Sequence, residues 1–322
     1  MGWDEWASKA RGGSFAARAG FLEALPLALP GARLVFLSAR RGDRLLGAVP
    51  LVVTRRWGHR WAYSLPFGTY GGPLVDAAEP EPARLRAEMA RELGSWLAKG
   101  RVAGGEIVCA PGAQSADPAW AALAGTVLSS TAHVVSLEGR SFDSYVAGLE
   151  KSTREELRRA PRRGVVVLEE PEALPAAHAL YLAQARSWRG HRPYPLAFLA
   201  ALVEHPSRFA RLFVARSENQ LLCAILVLSS ADDSFIWWSG SSPAARRTVA
   251  YPYLMVEIVR VMGEEGRKRV SLGSSGGIAA LERYKESVGA RPETVWTYRL
   301  QAHAGGPAWR WVEWARALRR RR

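Results

Sequence analysis

The 322-residue sequence predicts an α/β fold of the α+β kind, with mixed sheets flanked by helices and two related halves. The first observation is a pair of similar hairpins. RLVFLSARRGDRLLGAVPLVVTRR reads as strand, turn and strand, with β-branched and aromatic residues on both sides of Arg41-Gly42-Asp43. RLFVARSENQLLCAILVLSS echoes it, Leu45-Leu46-Gly47-Ala48-Val49 aligning with Leu221-Leu222-Cys223-Ala224-Ile225. The second observation is a shared succession after each hairpin, namely an aromatic segment, a helical pattern and a further strand. In the first half these are WAYSLPFGTYGGPL, PARLRAEMARELGSWLAKG and GEIVCA; in the second they are SFIWWSGSS, YPYLMVEIVRVMGEEG and RVSLGSS. The third is length, because 322 residues exceed what one hydrophobic core usually serves.

Individual elements arise from local chemistry. Leu254, Ile258, Val261 and Met262 recur at the three-and-four spacing of a buried helix face, and Gly266 supplies a stop. Between the halves, LEKSTREELRRAPRRG reads as a short basic helix, with Ser152 and Glu155 spaced as a capping box and Pro161 ending it at Ala160. At the carboxy terminus, WRWVEWARALRRRR places Trp311, Trp314 and Leu318 on one helical face before an arginine run. A docking helix with a basic tail fits that pattern. Two tryptophans beside arginines also fit peripheral contact with an anionic membrane.

Composition narrows the function classes. An apolar content of 48% with 23% charged residues is that of a folded protein. Forty-four Lys and Arg against 30 Asp and Glu give +14, which favours polyanionic partners, although arginine-rich genomic composition accounts for part of the excess. Cys109 and Cys223 sit in apolar runs, so neither a disulfide framework nor a cysteine zinc site is expected. The six histidines lack metal-ligand spacing, and no phosphate loop, HExxH helix, GxSxG elbow or dinucleotide fingerprint occurs, so no metal or cofactor is expected. MGWDEWASKARGG lacks the basic start and apolar core of a signal peptide, and Phe21 to Leu37 is broken by Glu23, Pro26, Pro30 and Arg33. A cytoplasmic location and no transmembrane segment are expected.

The most informative stretch is LGSSGGIAALERYKESVGA, Leu272 to Ala290. A strand enters Gly273-Ser274-Ser275-Gly276-Gly277 and a helix leaves from about Ile278, a geometry that aims backbone N–H groups at an anion. Leu281, Tyr284 and Val288 share the buried side, with Lys285 expected to emerge at a cleft edge. Pattern alone favours the plainer reading, a glycine-rich turn and a surface lysine.

A resemblance alters that balance. Ile236-Trp237-Trp238-Ser239-Gly240, then Tyr251-Pro252-Tyr253-Leu254, Leu272-Gly273-Ser274 and Tyr284-Lys285-Glu286-Ser287-Val288-Gly289, in that order, resemble the carboxy-terminal half of the FemAB-like branch of the GNAT superfamily. That family often carries FKxxFG here; Tyr284 and Val288 replace the two phenylalanines and keep their apolar or aromatic bodies. LPFGTYGGPL and STREELRRAPRRGVVV resemble its first-domain loop and its connecting stretch.

The resemblance implies tandem GNAT-like domains at 1–148 and 165–304, joined by a basic helix at 149–164 and followed by a basic helix and tail at 305–322. It implies acyl transfer to an amine, with aminoacyl-tRNA as donor and a peptidoglycan precursor or another small molecule as acceptor. Lys285 is then the catalytic candidate, as a cation that stabilises a tetrahedral oxyanion or holds the donor's 3′ end. Tyr70, Gly71, Trp238, Ser239, Tyr251, Ser274 and Tyr284 are the substrate-binding candidates, Tyr284 chiefly through packing. Trp237 and Trp238 should alternate faces on their strand, leaving only one of them for a cleft.

Arg154, Arg158, Arg192, Arg246 and Arg247 are candidates for tRNA or phosphate contacts, with a solvated charged face as the plainer reading. SSPAARRTVAYP occupies the place of a pyrophosphate loop and lacks its glycines, which favours tRNA over coenzyme A. Transfer from acyl-CoA or an acyl carrier protein is the alternative, with Arg246 and Arg247 gripping phosphate by side chains. A non-catalytic RNA-binding module with the same fold is a third reading. No residue stands out as the general base.

Overall fold

The computed structural model describes residues 2–56, 58–100, 102–186, 188 and 191–301; the expected helix and tail at 305–322 lie outside these. The strands are β1 (Arg33–Arg41), β2 (Arg44–Arg56), β3 (His59–Ser64), β4 (Leu74–Val75), β5 (Val102–Val108), β6 (Ala124–Ser136), β7 (Val166–Glu169), β8 (Ala210–Ser217), β9 (Gln220–Ser229), β10 (Asp233–Ser241), β11 (Arg269–Ser274) and β12 (Arg291–Gln301). The α-helices are α1 (Trp3–Lys9), α2 (Ala19–Ala28), α3 (Pro82–Lys99), α4 (Pro118–Leu123), α5 (Phe142–Ala147), α6 (Lys151–Arg162), α7 (Leu174–Ala185), α8 (Leu196–Val203), α9 (Pro243–Thr248), α10 (Ala250–Glu264) and α11 (Ala279–Ser287).

The strands form one sheet in the order β1-β2-β3-β5-β12-β6-β11-β10-β9-β8-β7, with β4 on β2. Only β3 with β5 and β10 with β11 run parallel, each pair joined across a helix, α3 in one half and α10 in the other. The hairpins matched in sequence, β1–β2 and β8–β9, hold equivalent places. Both have two-residue turns and a register shift near the turn, at Ala39/Arg40 and Ala215/Arg216. Glu218 and Asn219 both take positive φ, the backbone that matches the twist of a tight hairpin.

The two halves exchange their last strands. β6 leaves the first half to pair with β11, and β12 returns from the second half to lie between β5 and β6. The sheet therefore continues past residues 149–164, and α6 packs on α10.

Helix α10 buries Leu254, Ile258 and Met262, as its spacing requires, together with Met255, Val256 and Val259. Helix α6 departs from expectation at both ends: it starts after Glu150 without a side-chain cap, so Ser152 is no cap, and it runs through Pro161 to Arg162. Proline is tolerated there because it sits in the last turn, where only one backbone bond is forfeited and the Arg163 amide reaches the carbonyls of Arg159 and Ala160.

On one face of the sheet α1, α2, α7 and α8 build a core that spans both halves, with Phe21 of α2 against Phe198 of α8. On the opposite face two separate cores form, one beneath α3 and α4 and one beneath α10 and its neighbours. Among the described residues no helix is long and apolar enough to cross a membrane.

Candidate functional site

The site begins where parallel strands part. β10 and β11 pair only from Asp233–Arg269 to Phe235–Ser271. Beyond that point β10 continues to Ser241 and β11 to Ser274, and no backbone hydrogen bond joins them among the described residues. In the first half the corresponding divergence of β3 and β5 is bridged. The Val108 amide donates to Ser64 Oγ at 2.8 Å, and the Gly71 amide donates to the Val108 carbonyl at 3.1 Å. The second half thus retains a gap that the first half closes with its own chain.

At the end of β11 the turn runs through Gly273, Gly276 and Gly277, all with positive φ. A Cβ at Gly273 would also approach Phe235 Cε2 to 3.1 Å, so both backbone and space select glycine. The amides expected to face an anion are partly engaged within the turn, Gly273 N with Ser271 Oγ and Gly276 N with Ser274 Oγ.

Lys285 is not at a cleft edge. It is the buried residue of α11, 5% exposed, while Leu281, expected on the buried side, is 37% exposed. The helix is short and packs through its carboxy-terminal end, where Tyr145 Oη donates to the Val288 carbonyl at 2.7 Å, and this tilts Lys285 inward. Its Nζ donates to the carbonyls of Gly273 at 2.9 Å and Ser274 at 3.0 Å, bracing the turn from beneath. Burial, with no carboxylate at ion-pair distance among the described residues, lowers its pKa from 10.5 to about 8, and Glu282 acts in the other direction.

Four further candidates gather beside the gap. Tyr251, at the start of α10, donates through its hydroxyl to Ser239 Oγ on β10 at 3.1 Å. Its ring lies 6.2 Å from that of Tyr284, and burial raises both phenols above their ordinary range. Ser274 is exposed at the strand end.

On the opposite face of the sheet a cleft of about 470 Å³ lies over β5, β12, β6 and β11, beside the loop from Leu65 to Tyr70. Its walls include Gly68, Tyr70, Gly273 and Ser274, so the first-half loop and the turn braced by Lys285 meet in one cleft. Tyr70 is buried, edge-on to Phe15 and Phe235, with its phenol on Ser271; desolvation raises that phenol. Gly71 lies behind the wall, where a Cβ would come 2.2 Å from Leu65 Cδ1.

Leu65 and Phe67 hold positive φ without being glycine, a conformation that persists only when neighbours enforce it. Trp237 Nε1 donates to the Phe67 carbonyl at 3.0 Å, and Trp237 stacks on Tyr194 at 4.7 Å. Trp237→Phe is therefore expected to cost about 1 kcal/mol, the worth of one such bond, read as a lower denaturant midpoint at unchanged slope.

Other expectations are corrected. Trp237 and Trp238 do not alternate, because β10 bulges between Ile236 and Trp238 and both indoles join the core on one face. Trp238 is buried against Tyr181, away from the cleft lining. Arg154 donates to the carbonyls of Ala147 and Leu149, capping the end of α5, so its guanidinium is engaged in structure. Arg158, Arg192, Arg246 and Arg247 are exposed, and the Arg163 side chain reaches the Arg247 carbonyl, drawing α6 and α9 together.

Sequence reading missed the cleft floor. Thr54, Glu106, Ser130, Ser271 and Thr297 come from five strands and converge only through the sheet. Glu106 is the carboxylate in that lining, held by Arg299 Nε at 3.1 Å. Its one signal was a charge within the apolar run GEIVCA, which strand alternation turns to the cleft face.

Residues 148–286 match the acetyltransferase (GNAT) domain model. No curated protein matches the chain in sequence. Among solved structures, FemX superposes with a TM-score of 0.74 at 13% identity, covering 92% of this chain and 95% of its own. The carboxy-terminal domain of a putative lysylphosphatidylglycerol synthetase from Agrobacterium fabrum gives 0.61 at 11% identity, covering 90% and 88%. A tandem GNAT protein from the clavulanic acid biosynthesis pathway gives 0.52 at 13% identity, covering 89% and 88%. The second half thus carries a GNAT domain, and the whole chain has a tandem GNAT fold. Over its whole length the fold is that of FemX.

Proposed function

We propose that the chain is an acyltransferase that moves an aminoacyl group from aminoacyl-tRNA to an amine of a peptidoglycan precursor or another small molecule. The observation that carries this reading is the Gly273–Ser274 turn. It lies at once at the end of the open β10–β11 gap and in the wall of the cleft, with the Lys285 ammonium held beneath it. The donor enters through the gap, past Tyr251, Tyr284 and Ser239, and the acceptor lies in the cleft beside Tyr70 and Glu106.

The acceptor nitrogen attacks the ester carbonyl; the C–N bond forms, the bond to the ribose oxygen breaks, and that oxygen takes a proton. Glu106 receives the proton lost by the amine, directly or through water. The cation of Lys285, acting through the turn it braces, favours the negative charge developing on the carbonyl oxygen.

The donor assignment rests on the family resemblance and on the segment around α9, which lacks the glycines of a pyrophosphate loop. Exposed Arg158, Arg192, Arg246 and Arg247 suit a polyanionic donor. Incubation with charged tRNA and candidate amines is expected to transfer the amino acid. Strict dependence on an acyl-CoA thioester, with thermal stabilisation by CoA, would replace the donor and leave the fold reading intact.

A further inference from the structure

Gly276, Gly277, Ile278, Ala279, Ala280 and Leu281 form an unbroken exposed run, in which Ile278 is 60% and Leu281 37% exposed. Single exposed apolar residues are ordinary, but a continuous apolar protrusion calls for a partner. This one is held outward, because Lys285 fixes the turn at its base and the Ile278 carbonyl anchors the first turn of α11.

Basic residues outnumber acidic ones on the helices of this face, although α11 itself carries Glu282 and Glu286 beside exposed Arg283. Tyr284 of α11 lies against Tyr251, directly after α9 with exposed Arg246 and Arg247, and Gly289 packs on Leu149 and Tyr145 just ahead of α6. Helix α6 carries five basic residues against two acidic ones, and Arg158, Arg159 and Arg162 on it are exposed. An apolar tip on the same side of the sheet as the arginines of α6 and α9, on a chain of net charge +14, is complementary to an anionic bilayer. The apolar residues enter the headgroup boundary and the guanidiniums meet phosphates.

We propose that the Gly276–Leu281 tip and the arginines of α6 and α9 dock this protein on an anionic phospholipid surface. Gly273 and Ser274, which lead into this tip, also wall the cleft, a position that suits an acceptor carried on a lipid. The orientation rests on the proposed acyl transfer in that cleft; the docking does not, since it is measured without turnover.

The full-length chain is sedimented with vesicles of phosphatidylcholine alone and with vesicles of equal parts phosphatidylcholine and phosphatidylglycerol. Association is expected with the second only, weakening as salt rises, and the double substitution Ile278→Glu with Leu281→Glu is expected to reduce it by about tenfold or more. Ile278→Trp should strengthen it, and unchanged thermal unfolding checks the fold of each variant. Absence of association, or association that survives the double substitution, overturns the proposal; in the latter case other basic segments of the chain bind the vesicles. Failure of acyl transfer with association intact would instead count against the catalytic reading alone.

Discussion

Replacing Lys285 with Met is expected to lower kcat by about 10²-fold, because the turn facing the developing oxyanion loses the cation that braces it. The substitution also strips a donor from the carbonyls of Gly273 and Ser274, so some of the loss comes from a loosened turn. pH separates the two contributions. With the ammonium depressed to about 8, the wild-type rate should fall as pH rises through that value, because the cation is the active form.

Stability should move the opposite way. Between about 8 and the ordinary 10.5 the unfolded chain binds the proton that the folded chain has lost, so unfolding free energy rises with pH across that window. Lys285→Arg keeps its charge throughout and should lose the alkaline fall in rate while retaining part of the activity. Rates and urea midpoints measured from pH 7 to 10 test both slopes. A rate that follows stability upward would mean that Lys285 only holds the turn.

Glu106→Gln is expected to lower the rate with an amine acceptor by about 100-fold or more, the ordinary contribution of a positioned base. Its pair with Arg299 is partly solvated, so the fold should lose less than about 1 kcal/mol. The defect should shrink with an acceptor whose adduct gives up its N–H proton readily to water. An amine of low pKa, already neutral at the assay pH, should narrow the gap between variant and wild type, whereas a constant gap across amines would make Glu106 a binding group. Equal rates for variant and wild type would remove it from the site.

Much of the second-half site could be read along the chain because its parts are local. Gly273, Ser274, Tyr284 and Lys285 lie on one strand, turn and helix, and positive φ at Gly273, Gly276 and Gly277 accounts for the glycines that made the stretch conspicuous. Tyr251 and Ser239 joined them because the strand–helix order of this fold brings the first turn of α10 back to β10. The direction of the lysine was not legible. Helical spacing gave its phase but not which neighbour lay beneath, and that neighbour was the turn twelve residues before it.

Trp238 and Arg154 show where pattern fails. One bulged residue turns both indoles to the same face, and a guanidinium that looked free finds two carbonyls at a helix end. Neither a bulge nor a cap of this kind leaves a periodicity to detect.

By itself the sequence determined the mixed α/β class, the repeated hairpin–helix–strand halves and the glycine turn with its lysine, because these depend on alternation, helical spacing and residues few positions apart. Only the tertiary structure decided that the halves exchange β6 and β12 into one sheet, that the first-half loop and the Lys285 turn wall a common cleft, and that Glu106 lies on its floor. Those outcomes depend on pairing between strands nearly two hundred residues apart, as where the Arg299 guanidinium meets Glu106, and register between distant strands is set by the packing of the whole sheet.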